Sequence, residues 1–453
     1  MNNKLFNDFN NVSSKQWKQK IQFDLKGNDY NTTLVWKTND DILVKPFYHA
    51  DDFNEHPAPS NTKASQWKIC QSIFVANENK SNLKAINAIE KGAESLFFTI
   101  PSKNTNIENL LKNINTTTIN IHFTPLFISE TFTKKITRSG FKITIHNDII
   151  NNLTQTGNWF ESLNSDFNKL KTIVKSTNTI TVNAMLYQNA GATMVQQLAY
   201  TLAHANEYLN SLENNDQQLS KLKTVFKISI GTNYFFEIAK LKALRKLWSL
   251  LASEYKLDPK CHIIATPTQR NKTIFDYNTN LLRTTTEYMS AILGGANTIC
   301  CLPYDSVYHK DNTFSQRIAR NQLLILKHES YFDKVDNPTD GAYYIESITQ
   351  QLAEKALSLF KDIETNGGFL KQLKEGTIQR KIKESANKEQ QQFDNGDEIL
   401  LGTNKYPNTN ECLKNELEIF PFIKTNIRKT LIQPIISKRL AEQLEQQRLK
   451  NET

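Results

Sequence analysis

Short apolar runs alternate with longer amphipathic stretches between about residues 95 and 302. The runs are rich in Ile, Val, Thr and Phe, which is typical of strands covered on both faces. Seven strands are predicted, at residues 96–100, 119–123, 141–145, 180–185, 225–230, 262–265 and 298–302. The pattern does not place an eighth strand.

The stretches between these runs have helical spacing. Residues 192–212 place Val195, Leu198 and Leu202 on one face, and residues 234–255 repeat the arrangement with Ile238 and Leu241. Alternating strands and helices indicate parallel strands joined by crossover helices.

A closed barrel accounts for this alternation better than an open sheet does. Because a (β/α)8 barrel takes about 250 residues, the 453 residues leave room for extensions at both ends. The predicted fold class is therefore α/β, a (β/α)8 TIM barrel with an N-terminal arm and a short C-terminal extension. We expect an arm and linker at residues 1–65, a barrel at 66–395, and a linker with a charged helix at 396–453, the helix over 436–449.

Composition limits the cellular locations and binding partners that are expected for the chain. No stretch approaches the ~20 apolar residues of a membrane helix, and the polar, Asn-rich N-terminus lacks the apolar core of a signal peptide. The expected location is the cytoplasm, with no membrane contact. The net charge is +9, but Lys and Arg are interleaved with Asp and Glu, so a nucleic-acid partner is not expected. A phosphate-bearing metabolite or an acidic partner surface would use the same charge.

Residues that could carry chemistry are few. Neither a glycine-rich phosphate loop nor a common hydrolase or zinc motif occurs. His122 and His146 lie at or near predicted strand ends, where they could be catalytic or simply hydrogen-bonded at a barrel rim. Asp305 follows the last predicted strand, where it could be catalytic or cap the next helix. We assign no catalytic, cofactor-binding or metal-binding residue to this chain.

Cysteines and glycines are expected to be structural. The five cysteines show no paired spacing, which argues against a disulfide framework or a zinc site. Adjacent Cys300 and Cys301 lie in an apolar run and are predicted to be buried thiols. Gly294 and Gly295 follow a helical run and are predicted to end it.

Several longer stretches are more specific than these single residues. The residues are Asp24-Leu25-Lys26-Gly27, Val44-Lys45-Pro46-Phe47-Tyr48, Ala190-Gly191-Ala192-Thr193, Asn233-Tyr234-Phe235-Phe236-Glu237, Leu282-Arg283-Thr284-Thr285-Thr286-Glu287 and Gly341-Ala342-Tyr343-Tyr344. In this order they resemble segments of the methylmalonyl-CoA mutase family, over nearly the whole chain.

The resemblance implies a barrel whose lumen admits the coenzyme A chain and a separate cobalamin-binding domain. It also implies interconversion of methylmalonyl-CoA and succinyl-CoA by an adenosylcobalamin radical rearrangement, a step of propionate metabolism. In such enzymes the cofactor carries the radical chemistry and the protein positions it. Many bacterial members pair a large catalytic subunit with a related small one.

Departures from the family pattern indicate which subunit this chain resembles. Ala184, Met185 and Leu186 stand where catalytic chains have Gly-Tyr-His, and Leu186 cannot donate a hydrogen bond to the thioester carbonyl. Cys70 and Ser72 stand where the family has an Arg and a Tyr that contact the acyl group.

A further position is aligned less closely. Near residues 264–268 the family places a His and a Gln, whereas here only the adjacent Gln269 occurs.

The remaining length supports the same interpretation. About fifty residues follow the linker-like segment at 402–407, whereas a cobalamin domain needs ~100 or more. We therefore predict a small subunit that is inactive alone and has no cofactor of its own. Adenosylcobalamin is expected on the large subunit, with which the chain forms a heterodimer.

Two alternatives remain open. One is the catalytic barrel of a split mutase, whose cobalamin domain is a separate chain. The other is a barrel repurposed as a hydrolase or lyase.

Overall fold

Eight parallel strands form a barrel in the computed structural model, which describes residues 10–55, 57–60, 62–213, 221–424 and 427–452. An antiparallel hairpin of β1 (Trp36–Lys37) and β2 (Leu43–Val44) precedes it. The barrel strands are β3 (Lys68–Phe74), β4 (Ser95–Ile100), β5 (Asn120–Pro125), β6 (Ile143–Ile145), β7 (Thr179–Asn183), β8 (Lys223–Ile230), β9 (Cys261–Pro267) and β10 (Thr298–Cys300). The predicted α/β barrel class is confirmed.

The first and last barrel strands pair directly. The strand order is β6-β5-β4-β3-β10-β9-β8-β7, and every neighbouring pair is parallel. In the described part of the chain, β6 and β7 share no backbone ladder. Across this seam the His146 Nδ1 atom lies 2.9 Å from the Thr181 hydroxyl. Side chains therefore complete the closure there.

The strand missing from the sequence prediction is β3. Its apolar run is interrupted by the adjacent polar residues Gln71 and Ser72, so the segment does not stand out as a strand. The predicted strand at residues 180–185 was too long, because β7 ends at Asn183 and Met185 begins a short helix.

Helices connect the strands and cover the barrel. In chain order they are α1 (Ser14–Asp24), α2 (Tyr30–Leu34), α3 (Glu78–Glu90), α4 (Ile107–Leu110), α5 (Glu130–Arg138), α6 (Ile149–Thr156), α7 (Leu163–Thr177), α8 (Met185–Asn189), α9 (Met194–Glu213), α10 (Tyr234–Glu254), α11 (Thr279–Leu293), α12 (Thr313–His328), α13 (Tyr343–Thr365), α14 (Phe369–Lys374), α15 (Thr377–Asn395) and α16 (Glu442–Asn451). Two 3-10 turns, Ala50–Asp52 and Ala64–Gln66, lie in the arm and linker. No helix in the described ranges is long and apolar enough to cross a membrane.

Apolar side chains outside the barrel form two main cores. The larger core joins the outward faces of β7, β8 and β9 to the long helices α9, α10 and α13. A smaller one lies between β4, β5 and β6 and the helices α3, α4 and α5. The helices that connect the strands thus pack their apolar faces on the sheet, as their residue spacing predicted.

The N-terminal arm and its linker dock on the barrel domain. At the hairpin turn, the Asp40 carboxylate accepts a hydrogen bond from the Met194 amide at the start of α9. Further along, the Ser60 and Ser65 hydroxyls donate to Asp340 and Asp336. By contrast, α1 buries none of its residues.

The C-terminal extension differs from its prediction. The helix begins at Glu442 rather than near 436, because the preceding residues run extended across the loops of the barrel. There the Lys438 and Leu440 amides donate to the carbonyls of Asn189 and Arg270. The extension is therefore fixed to its own barrel.

Candidate functional site

Alternate residues of each strand face the barrel lumen. Ile69, Phe98 and Ile263 belong to the outer cores. The residues directly before and after each of them on the same strand therefore point inward. Cys70, Phe97, Val225, Ile264 and Cys300 accordingly form a separate apolar cluster inside the barrel.

Two histidines and a phenylalanine fill the lumen beside this cluster. The His122 Nδ1 atom lies 2.9 Å from His146 Nε2, and the two rings stack. Phe97 stacks against both rings, at centroid distances of 6.0 and 5.5 Å. All three side chains are buried. The structure thus brings the two predicted histidines together as hydrogen-bonded groups, but inside the lumen rather than at its rim.

These imidazoles are held in their neutral form. Burial, with the charges of His262 and Lys227, lowers the pKa of His122 to about 3. Burial, with the charge of Arg245, lowers the pKa of His262 to about 4. Burial likewise moves the pKa of His146 well below its ordinary value. Without a carboxylate partner the imidazolium is disfavoured here.

A lysine that the sequence analysis did not single out shares this space. Lys227 of β8 is buried, and its ammonium lies 4.4 Å from the centroid of the Phe97 ring. Only the strand alternation could have indicated that Lys227 and Phe97 face inward.

The positions that depart from the catalytic pattern lie in different surroundings. Cys70 faces the lumen with no exposed surface, and Ser72, one step toward the C-terminal mouth, is exposed. Leu186 lies on α8 and is buried in the larger outer core. None of the three offers a group that could bind a thioester or a carboxylate as a charged donor would.

A cavity of about 490 Å³ lies beyond the C-terminal ends of β7, β8 and β9. Its lining includes residues 191–194 and 231–233 from the barrel loops, the arm residue Asp40, and Glu389 of α15. Gly191 has a φ of +93°, and an added Cβ there would lie 2.6 Å from the Ala386 Cβ. The close approach of α15 to this loop therefore requires glycine.

Buried ion pairs support the walls of this cavity. Lys240 reaches Glu237 at 2.6 Å and donates to Gln188 and Gln197. Behind them, Lys272 is 2.8 Å from Glu287, which also accepts from Asn271. These charged residues are fully paired, so we assign them to the architecture of the loops.

Other residues considered in the sequence have structural positions. Asp305 does not cap the following helix; it accepts from the Asn312 side chain, and Asn312 caps α12. Gly295 ends α11 with a φ of +80°, as predicted. Gln269 is an exposed loop residue. Cys300 and Cys301 are buried, as expected, and Cys412 is exposed.

No three His, Cys, Asp or Glu side chains lie close enough to hold a metal ion within the described ranges.

Fold and interior together define a class of protein. The molecule is a (β/α)8 barrel with a docked N-terminal arm, in which the loops after β7 and β8 carry the segments that resemble acyl-CoA mutases. A family model described as methylmalonyl-CoA mutase matches residues 100–451. The chain belongs to the methylmalonyl-CoA mutase family.

Relatives of the chain include both small subunits and longer mutases. It is 34% identical to the methylmalonyl-CoA mutase small subunit of Porphyromonas gingivalis, covering 92% of this chain and 73% of that one. It is 35% identical to the methylmalonyl-CoA mutase of Rhizobium meliloti, covering 61% and 41%. For the enzyme of Cereibacter sphaeroides the identity is 30%, with 86% and 64% covered. The match thus spans less than two thirds of these two mutases.

Some solved structures share a distant likeness in fold. Dihydropteroate synthase from Stenotrophomonas maltophilia is 9% identical, with a TM-score of 0.34 over 59% of this chain and 94% of that one. This likeness carries no argument about function.

Proposed function

We propose that this chain is the small, non-catalytic subunit of a heterodimeric methylmalonyl-CoA mutase. It would support a large subunit that binds adenosylcobalamin and interconverts methylmalonyl-CoA and succinyl-CoA in the cytoplasm. The proposal assigns no step of the rearrangement to this chain.

The packing of the lumen is the observation that carries this proposal. A coenzyme A chain threading a barrel needs a continuous passage along its axis. Here Phe97, His122, His146, Val225 and Ile264 are all buried within that axis. Because protein interiors are close-packed, we infer that side chains of this size obstruct the path of a pantetheine arm.

The missing donors support the same conclusion. A catalytic barrel must polarise the thioester carbonyl and hold the acyl carboxylate. Leu186 is apolar, and neither Cys70 nor Ser72 can replace a guanidinium or a phenol.

The arm offers a surface for the partner. Helix α1 buries none of its residues, and Phe23 is 80% exposed. An apolar side chain displayed on an extended arm suits contact with another chain. We place part of the contact with the large subunit here.

Turnover measurements test the proposal. The full chain is expressed alone and together with the large subunit from the same source, and mutase activity is measured with adenosylcobalamin. We expect no turnover from the chain alone, and a stable, active complex with the large subunit. The variant Leu186→His in that complex should leave kcat unchanged within about twofold, because no substrate reaches this barrel.

The split-mutase alternative predicts a different result. If this chain turned over methylmalonyl-CoA when mixed only with an isolated cobalamin-binding domain, the non-catalytic assignment would be wrong. Titration of the chain with coenzyme A is an independent check, and we expect no binding.

An arm variant tests the proposed contact. Phe23→Ala should weaken the complex with the large subunit by about tenfold, because truncating a central apolar anchor costs over 1 kcal/mol. The dissociation constant is measured by biolayer interferometry with Gln22→Ala, an exposed neighbour, as the matched control. Equal affinities for both variants would remove α1 from the interface.

A further inference from the structure

Two cysteines face each other across neighbouring strands inside the barrel. Cys70 of β3 and Cys300 of β10 are register partners in a parallel ladder. Both belong to the same cluster in the lumen, so their side chains point in the same direction. Neighbouring strands lie roughly 4.8 Å apart, within the range of about 4.4–6.8 Å between the Cα atoms of disulfides.

The surroundings of Cys300 favour its thiolate. A hydrogen bond from the Cys70 thiol, the charge of Lys227 and hydrogen bonds from Thr266 and Ser72 together lower the pKa of Cys300 despite its burial. Burial instead raises the pKa of Cys70. The two thiols are therefore unequal, one suited to attack and the other to donate a hydrogen bond.

Lys227 forms no close ion pair in the described part of the lumen. Its ammonium makes no hydrogen bond or ion pair with any residue that the structure describes and lies over the face of Phe97, while the Asp148 carboxylate offsets its burial from beyond ion-pair distance. An unpaired buried ammonium is costly, and Cys300 is the leading charge that offsets the burial of Lys227. A Cys300 thiolate would complete an ion pair with Lys227.

An exposed residue lies close to this pair. Ser72 is exposed at the C-terminal side of the lumen, two residues from Cys70 along the same face of β3, and Cys70 is the register partner of Cys300. A small reagent that enters past Ser72 comes next to the two thiols.

We propose that Cys70 and Cys300 form a peroxide-sensitive dithiol that closes to an intramolecular disulfide. The Cys300 thiolate attacks one oxygen of hydrogen peroxide, which forms a sulfenic acid and releases the other oxygen as water after protonation. The Cys70 sulfur then attacks the Cys300 sulfur, an S–S bond forms, and the sulfenic oxygen leaves as water. Both cysteines are oxidised by one peroxide, and two water molecules result. This inference is independent of the proposed subunit function.

Peptide mapping of the oxidised full chain tests the proposal. The variant Cys412→Ser serves as background, because Cys412 is exposed and would react on its own. The protein is treated with hydrogen peroxide, alkylated, digested and examined by mass spectrometry. We expect a linked peptide pair containing Cys70 and Cys300, which dithiothreitol separates. If both cysteines are still alkylated as free thiols after unfolding, the proposal is wrong.

Single variants separate the roles of the two thiols. Cys70→Ser should stop the reaction at a sulfenic acid on Cys300 that dimedone traps, and Cys300→Ser should leave Cys70 reduced. Cys301→Ser, which alters a buried cysteine on the outer face, should leave the linked peptide in place. Linkage of Cys70 to Cys301 instead would overturn the assignment.

Lys227→Met tests the ion pair. Oxidation should slow by at least about tenfold, which corresponds to a rise of one unit in the pKa of Cys300. The midpoint of the pH profile for Cys300 alkylation by iodoacetamide should rise with it. An unchanged profile would show that Lys227 does not stabilise the thiolate.

Discussion

At the scale of single residues, the lumen contains imidazoles that cannot be protonated without loss of stability. His122 contacts His146 and Phe97, and its Nε2 atom has no hydrogen-bond partner in the described part of the chain. Water is largely excluded from it, so a proton there would be poorly solvated.

This arrangement predicts a pH dependence of stability. The pKa of His122 falls from about 6.5 in the unfolded chain to about 3 in the folded one. Below pH 6.5 His122 binds a proton in the unfolded chain but not in the folded one. The contribution of this histidine to the free energy of unfolding is therefore complete above pH 6.5 and declines toward pH 3. The slope approaches about 1.4 kcal/mol per pH unit for each such histidine. Urea unfolding between pH 7 and 4 measures it.

Replacement of His122 measures its contribution to this pH dependence. His122→Gln should reduce the slope by about 1.4 kcal/mol per pH unit. His328→Gln, at an exposed position on the end of α12, is the matched control. Equal slopes in wild type and His122→Gln would contradict the interpretation.

At the scale of elements, the C-terminal extension is a structural part of the barrel. Glu445 of α16 is fully buried and pairs with Arg439, which also donates to the carbonyl of Lys272. The same carboxylate accepts from the Ile274 amide in the loop after β9. One glutamate thus links the last helix, the extended segment before it and a loop of the barrel.

Removal of that carboxylate should loosen the extension. Glu445→Ala leaves the Arg439 guanidinium buried without its charge partner and should cost about 3–5 kcal/mol. Gln447→Ala, an exposed position on the same helix, is the matched control. Urea unfolding measures the cost, and limited proteolysis should show faster cleavage before Glu442. A loss below about 1 kcal/mol would mean that packing alone holds the extension.

The strands and helices also show which elements the sequence pattern predicts correctly. Runs such as β4 and β5 are apolar on their outer faces and small or aromatic inside, so their strands were predicted within a few residues. β3 was not, because the polar residues Lys68, Gln71 and Ser72 interrupt its apolar run. The C-terminal helix was placed too early, since Leu440 and Ala441 pack against Phe393 of α15 and Leu400, contacts that no local pattern reveals.

At the scale of the whole molecule, the barrel is closed unevenly. Seven strand pairs share backbone ladders in the described ranges, but β6 and β7 meet only through side chains such as His146 and Thr181. β6 is also only three residues long. Fewer hydrogen bonds hold this seam, so it should open at a lower free energy than the rest of the barrel.

Hydrogen exchange checks the uneven closure. Amides of β6 should exchange at least about tenfold faster than those of the central strand β9, which corresponds to a difference of about 1.4 kcal/mol in opening free energy. The variant Thr181→Val should increase exchange in β6 further and leave β9 unchanged. Uniform protection around the barrel would show that the seam is as stable as the ladders.

The sequence by itself determined the class of the barrel and the family. These depend on residue identity and local spacing, which the chain carries whether folded or not: alternating strands and helices, and the segments that resemble the methylmalonyl-CoA mutase family. The expected lack of catalytic donors at Leu186, Cys70 and Ser72 stays a prediction. Only the tertiary structure decided which side chains share the lumen. The meeting of His122 with His146, of Lys227 with Phe97 and of Cys70 with Cys300 depends on strand order and register, which bring distant parts of the chain within a few ångströms.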